Sequence, residues 1–325
     1  MWEIQYRKGV WLPQIGWWLD AQSSAARSFV SHAHSDHIAR HKEVLCSPAT
    51  ARLFQARLPG RRAITALPFG RAQAIDFSAT ATLHPAGHIL GSSQILLHSE
   101  HGTLLYTGDF KLRPGLAAEK CATPRADVLI METTFGLPRY VFPPDAEVIA
   151  GIVDFCRHAL DSGATPVLLC YSLGKSQEVL RALAPAGLPV MLHAETLRLT
   201  QIYAQLGVAF PPFRAFDADE SGGHVVICPP HADGLLNRIP ARRTAVITGW
   251  ALDSGATYRF RSDAAFPLSD HAGYDDLLRF VELVQPKRVL TLHGYAREFA
   301  ATLRARGVDA LALGHGNQLE LSLAD

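Results

Sequence analysis

Three histidines and an aspartate fall within six residues, His32-Ala-His34-Ser-Asp36-His37, directly after the apolar run Ser28-Phe29-Val30. That spacing constrains the chain more than any other feature. Alternate residues of an extended segment point the same way, so His32 and His34 reach one point beyond the strand's end. Asp36 and His37, one step on, face a second position. Nitrogen and oxygen donors packed this closely repel protons and gain little without a cation, and the set suits zinc or a similar divalent metal. Further donors stand where a strand would end. His88 lies in Pro85-Ala-Gly-His-Ile-Leu-Gly91, a turn between two apolar runs. Asp109 ends Leu104-Leu-Tyr-Thr-Gly-Asp109, where Gly108 permits a bend, and His293 ends Val289-Leu-Thr-Leu-His-Gly294. Each alone would more often be a turn or capping residue. Together with the histidine cluster they complete a set.

Length sets the scale, since 325 residues suit roughly two domains. With 48% hydrophobic and 19% charged residues the chain buries a sizeable core, and disorder is excluded as its main state. Lys+Arg 31 against Asp+Glu 30 leaves a net charge of +1, so no global basic field advertises nucleic acid, although a local basic groove stays open. The basic side leans to arginine, with lysine at positions 8, 42, 111, 120, 175 and 287. Five widely spaced cysteines without a CxxC pair fit reduced, mostly buried thiols and a cytoplasmic protein. The N-terminus has no basic-then-apolar signal layout, and no uncharged apolar run is long enough to span a membrane.

Along the first 130 residues, Ala26–Ser31, Ala81–Leu83, Gln94–Leu97, Thr103–Tyr106 and Val128–Met131 read as short strands separated by turns. After Pro143-Pro144 the texture changes. Asp145–Ser162 has apolar residues at helical spacing, Pro166–Cys170 is a buried-type strand and Ser176–Leu183 a helix, which suggests an inserted α/β unit. The Pro-, Asp- and Gly-rich stretch Phe210–Gly223 reads as a loop. Beyond it come a strand at Ala245–Thr248, a helix at Tyr274–Val284 and a strand at Arg288–Leu292.

Taken in order, HxHxDH, Ala86-Gly-His-Ile-Leu-Gly91, Tyr106-Thr-Gly-Asp-Phe110 and the late His293-Gly294 resemble the metallo-β-lactamase superfamily. Met131-Glu-Thr-Thr134 and Leu268-Ser-Asp-His-Ala-Gly273 resemble the acidic and histidine motifs of its β-CASP branch of nucleic-acid-processing nucleases. Tyr171-Ser-Leu-Gly-Lys-Ser-Gln177 resembles a helix start in that branch's inserted domain. The resemblance covers nearly the whole chain, and the compact length is most similar to the bacterial DNA ligase-associated exonucleases of the branch. It implies an α/β chain with a four-layer αββα metallo-β-lactamase fold over 1–147 and 255–325 and an α/β β-CASP insertion over 148–254. Two divalent ions are implied, zinc first and manganese as the alternative. His32, His34, His88 and Asp109 would hold one, and Asp36, His37, Asp109 and His293 the other, with Asp109 shared. Such a pair activates water and neutralises charge on an in-line phosphoryl transition state. His271 would protonate the leaving oxygen, Glu132 would orient His271, and Asp20 would support the HxHxDH loop.

The implied activity is hydrolysis of single-stranded DNA by an exonuclease in DNA repair, in functional association with DNA ligase and helicase proteins. RNA is the alternative substrate. DNA-repair nucleases of the branch usually lack a histidine at the last motif, whereas its RNA-processing members have one, so His293 points locally to RNA. Phosphate contacts are expected from Ser172 and Lys175 at a helix start and from Lys111 and Arg113 beside Asp109. Base stacking falls to Trp17, Trp18 and Phe135, unless they are core aromatics. An inactive binding subunit would have lost metal ligands, and a small-molecule hydrolase such as a lactamase would lack both the insertion and the Ser269-Asp270-His271 motif.

Overall fold

The computed structural model describes residues 2–314; the part of the expected 255–325 segment beyond them lies outside the described residues. Two sheets carry the first half of the chain. Six short strands from Gln5–Tyr6 to Ala63–Ala66 form the first sheet in chain order. The second has seven strands, with Gly102–Tyr106 antiparallel to Ser93–Ser99 on one side and parallel to Val128–Glu132 on the other. Val128–Glu132 in turn pairs in parallel with Arg288–Leu292, residue 128 opposite residue 288.

The sheets pack face to face. Leu12, Trp17, Leu19, Phe29 and Leu45 of the first meet Leu83, Leu97, Leu104, Ile130 and Leu292 of the second in one buried cluster. On the far side of the second sheet, Leu277, Phe280 and Val284 of helix Tyr274–Val284 and Phe299 and Leu303 of helix Ala296–Ala305 bury against Leu105, Leu129 and Val289. The first sheet is covered by helix Pro48–Arg57, through Leu53 and Phe54 against Val30, Val44 and Cys46. That helix corrects the expectation of strands alone in this region. Ser47 caps it by accepting from the Thr50 amide, and Pro48 starts it where no amide hydrogen is needed.

A third sheet, all parallel, is built from Phe213–Ala215, Val190–Leu192, Val225–Cys228, Thr165–Leu169, Arg242–Ile247 and Ala264–Phe266 in that spatial order. Helix Asp145–Asp161 covers one face with Val148, Ile152 and Cys156, the one-sided stripe its spacing predicts. Two details differ from the sequence reading. The strand Phe213–Ala215 sits inside the expected loop, because its backbone finds the edge of Val190–Leu192, a partner that composition does not reveal. The expected boundary at 254 falls between Arg242–Ile247 and Ala264–Phe266, which pair with each other at Ala245 and Ala264, so this sheet runs on to Phe266.

The three adjacent parallel strands Gly102–Tyr106, Val128–Glu132 and Arg288–Leu292 end on the same side of the second sheet. Their carboxyl ends carry Asp109, Glu132 and His293. The site is built there.

Candidate metal centre and nuclease site

His32, His34, His88 and Asp109 each place a ligand atom within 4.8 Å of the others, and so do His37, Asp109 and His293. Asp109 belongs to both sets. Its position depends on Gly108, at φ 56°, where a side chain would overlap Ser31. His293 itself holds a left-handed conformation (φ 61°), unusual for a residue with a Cβ, and Gly294 beyond it passes against the Thr133–Thr134 backbone. The bend turns the imidazole from the strand end toward His37, with ring centroids 5.9 Å apart.

The hydrogen bonds decide which ring nitrogens face inward. His88 Nδ1 donates to the Asp270 carbonyl at 2.8 Å and His34 Nε2 to the Leu173 carbonyl at 3.1 Å. Carbonyls only accept, so those nitrogens carry the protons. The hydroxyl of Ser31 donates to Asp20 Oδ2 at 2.6 Å and accepts from His32 Nδ1 at 2.9 Å. Asp20 Oδ2 also accepts from His37 Nδ1 at 2.9 Å and from the Tyr106 hydroxyl at 2.8 Å. Asp20 is thus the hub behind the motif and reaches two of its histidines, one through Ser31. With the outer nitrogens protonated, lone pairs of His32 Nε2 and His88 Nε2 both face His34 Nδ1 at 3.1 Å. Nothing in the protein separates these lone pairs. Tetrahedral zinc with nitrogens at ~2.0–2.1 Å would hold its donors roughly 3.3 Å apart, so the cluster fits a divalent ion and the outer bonds supply the usual orienting partners.

Electrostatics agree with that division. Burial lowers His32 well below the ordinary imidazole range, His37 adding to the effect, and pushes His88 down to about 3 with help from His271 and His34. It lowers His34 and His293 as well. All four are neutral, as ligands must be. His37 is the exception, because Asp109 and Asp20 outweigh its burial and hold it well above the ordinary value. Burial also opposes the charge of Asp109, but His37 and its other imidazole neighbours keep it ionised.

Asp36 stands apart. Its side chain is 70% exposed, with Oδ2 3.7 Å from His37 Nε2, outside the close donor sets.

Across from the ligands, His271 Nδ1 donates to Glu132 Oε1 at 2.9 Å, and its ring lies 4.6 Å from that of His88. Burial disfavours the imidazolium, yet Glu132 overrides it and raises His271 to about 10. A protonated imidazole, oriented by a fully buried carboxylate, borders a cleft of about 640 Å³. Loops from all parts of the chain line it, including His34, Asp109 and His293 on one wall and Ser172, Glu195 and Trp250 on the other.

Three of the expected phosphate contacts are corrected. Lys175 is 1% exposed and donates to the Leu268 carbonyl at 2.7 Å, with Asp270 at 3.4 Å. Lys111 is buried against Asp145 at 2.8 Å and Glu178 at 3.9 Å. Arg113 spends its guanidinium on Asp276 and on the carbonyls of Phe142 and Pro143. These cations hold the third-sheet unit and the Asp270 loop in place and do not face the cleft. Ser172 does line it. Trp17 is buried between the two sheets and Trp18 packs on Trp11, so both are corrected as stacking residues, while Phe135 lines the inner cleft beside Trp250. Sequence reasoning passed over Ser31, Tyr106, Asp270 and the Leu173 carbonyl. Asp270 stood in a quoted motif, whereas a carbonyl has no sequence signal at all.

The chain is similar to known proteins. Residues 264–313 match a family model described as the Zn-dependent metallo-hydrolase RNA specificity domain. The chain is 59% identical over 325 residues to a probable DNA ligase of Opitutus terrae, covering 99% of this chain and 32% of that protein. It is 28% identical over 313 residues to the 5′ exonuclease Apollo of Rattus norvegicus, covering 87% of this chain and 54% of that protein. The chain therefore spans about a third to a half of the length of these relatives. A crystal structure of a protein of unknown function from Enterococcus faecalis V583 superposes with a TM-score of 0.60 at 13% identity, over 87% of this chain and 78% of that one, a likeness of fold. The histidine-rich strand ends, the third parallel sheet and these relatives lead to one conclusion: the chain belongs to the β-CASP branch of the metallo-β-lactamase superfamily.

Proposed function

We propose that the chain is a dinuclear metal-dependent phosphodiesterase that shortens single-stranded DNA as an exonuclease in DNA repair. The observation that carries this reading is one carboxylate, Asp109, common to two donor sets, with His271 and Glu132 facing them across an open cleft. His32, His34, His88 and Asp109 would hold one ion, and Asp109, His37 and His293, with Asp36 from the rim, the second. Zinc suits these donors and manganese is the alternative. When bound, the pair supplies charge neutralisation at the phosphate oxygens and an activated water. The chain's own part is positional. Asp20 and Ser31 fix His37 and His32, and the carbonyls of Asp270 and Leu173 fix His88 and His34. His271, protonated and held by Glu132, gives its proton to the leaving oxygen.

The two face-to-face sheets with their outer helices make the four-layer αββα body, and 145–266 is the β-CASP insertion. The relative named a probable DNA ligase favours DNA and an association with a ligase, the 5′ exonuclease relative favours attack from the 5′ end, and a helicase partner and a cytoplasmic setting belong to the same proposal. RNA is the second reading, because the family model matched at residues 264–313 is described by RNA specificity. Incubating metal-loaded protein with end-labelled DNA and RNA, single- and double-stranded, under zinc and manganese, tests all of this. A ladder shortening from one end of single-stranded DNA is expected. Cleavage of RNA alone would select the second reading, and no cleavage of any strand would reject both.

A further inference from the structure

With Lys111, Lys175 and Arg113 engaged elsewhere, a phosphate backbone that runs on past the metal donors and His271 needs a further cation at the rim. Among its lining residues only Arg57 is a lysine or arginine. Three of the four carboxylates that share the lining are held by close partners, Glu195 by Arg198 at 2.7 Å, Asp270 by Lys175 and Asp109 by the imidazoles, while Asp36 stands exposed at the rim. Arg57 ends helix Pro48–Arg57, half-buried, and donates to the Ala33 carbonyl inside the metal motif. Among the described residues it forms no ion pair within 4 Å; Glu195 and Asp36 act on it only from beyond that distance, with Arg198 opposing them, so no carboxylate occupies its guanidinium. The opposite rim carries a second unexplained side chain. Of the large apolar residues most exposed to solvent, namely Phe77, Leu116, Val141, Tyr171 and Tyr258, only Tyr171 lines the cleft, and it is 60% exposed. Its carbonyl accepts from the Ser176 amide at 3.1 Å and hydroxyl at 2.8 Å, so the exposed ring stands on an ordered turn.

We infer that Arg57 and Tyr171 form the entry track of the cleft, Arg57 taking a backbone phosphate of a single strand and Tyr171 stacking on an unpaired base. The inference rests on the nuclease reading and deepens it. A strand carries one negative charge per nucleotide, and an arginine anchored at one amino group presents the rest of its fork to a phosphate with little further ordering. An exposed aromatic ring stacks on any base whose face is free, a condition that a single strand meets and an intact duplex does not.

Binding of a fluorescent single-stranded oligonucleotide by the metal-loaded full chain tests the pair without requiring turnover. Arg57→Gln removes the charge and keeps a polar but shorter side chain. It is expected to weaken binding about tenfold at low salt and to reduce the slope of log affinity against log salt by about 0.7. Arg57→Lys should keep that slope. Tyr171→Ala is expected to weaken binding roughly 5- to 100-fold, and Tyr171→Phe to restore it. Metal content should stay at the wild-type level in all four variants. Binding and salt slope equal to wild type in Arg57→Gln and Tyr171→Ala would overturn the inference, as would loss of bound metal in Arg57→Gln, which would place Arg57 behind the metal motif. Wild-type protein that binds the strand but cleaves no nucleic acid would overturn the nuclease reading and leave the entry track standing.

Discussion

The two walls of the cleft are built on different principles. The metal wall comes from adjacent strand ends of the second sheet and the motif after Phe29. Its histidines from His32 to His88 each have an outer nitrogen tied to a named acceptor. The facing wall comes from loops of the third sheet and the helix starts beyond them: Tyr171 and Ser172, Glu195, and Thr248 to Trp250. It brings no convergent donor set, only scattered hydroxyls, the Glu195 carboxylate, the rings of Tyr171 and Trp250 and a carbonyl, that of Leu173, which reaches across to His34. The first wall is over-determined and suits chemistry that tolerates no displacement. The second is dispersed and suits a substrate that varies from one residue to the next.

Substitutions on the metal wall should therefore cost turnover or metal, and those at the rim should cost affinity. The largest effect is expected from Asp109→Ala, which removes a donor from both sets at once. Bound metal by elemental analysis should fall from two ions per chain to one or none, and turnover by at least roughly 10⁴-fold. Turnover within severalfold of wild type under saturating metal would reject its shared role. His271→Ala comes next. It should keep both ions and strand affinity while losing roughly 10²–10⁴ in turnover, and a nitrophenyl ester, whose leaving group needs no proton, should be much less affected. Loss of one ion instead would make His271 a ligand. Asp20→Asn is the mildest. Oδ2 accepts from three donors, and an amide placed there keeps only part of that set. Metal affinity by chelator competition should drop about 10- to 100-fold, with turnover at saturating metal close to wild type. An affinity change no larger than twofold would remove Asp20 from the support of the motif.

The same contrast explains what could be read in advance. The metal wall was legible because its donors are few in type and tied to strand ends by local spacing. His32 to His37 follow one strand, and Asp109 and His293 stand one to three residues past another. Helix Tyr274–Val284 and strand Arg288–Leu292 were legible for a related reason, since a one-sided apolar stripe or a short buried run needs no distant partner to declare itself. Helix Pro48–Arg57 was missed among strands because its apolar face is weak and its start is announced by Ser47-Pro48 alone. Strand Phe213–Ala215 was missed because three residues carry no period.

Charge was misread for a physical reason. Lys175 and Asp270 are 95 positions apart, Lys111 and Asp145 34 apart, and a lysine in sequence looks the same whether it meets a phosphate or a buried carboxylate. Burial without a partner costs several kcal/mol, about 3–5 when one member of a buried pair is removed, so the fold places such cations where their carboxylates are. By itself the sequence named the histidines and carboxylates that the fold gathers at the strand ends, because coordination chemistry selects residue types at short spacing. Only the tertiary structure decided which cation faces the cleft, which ring nitrogens point inward and where the third sheet ends. Each of those depends on partners that chain order does not bring together.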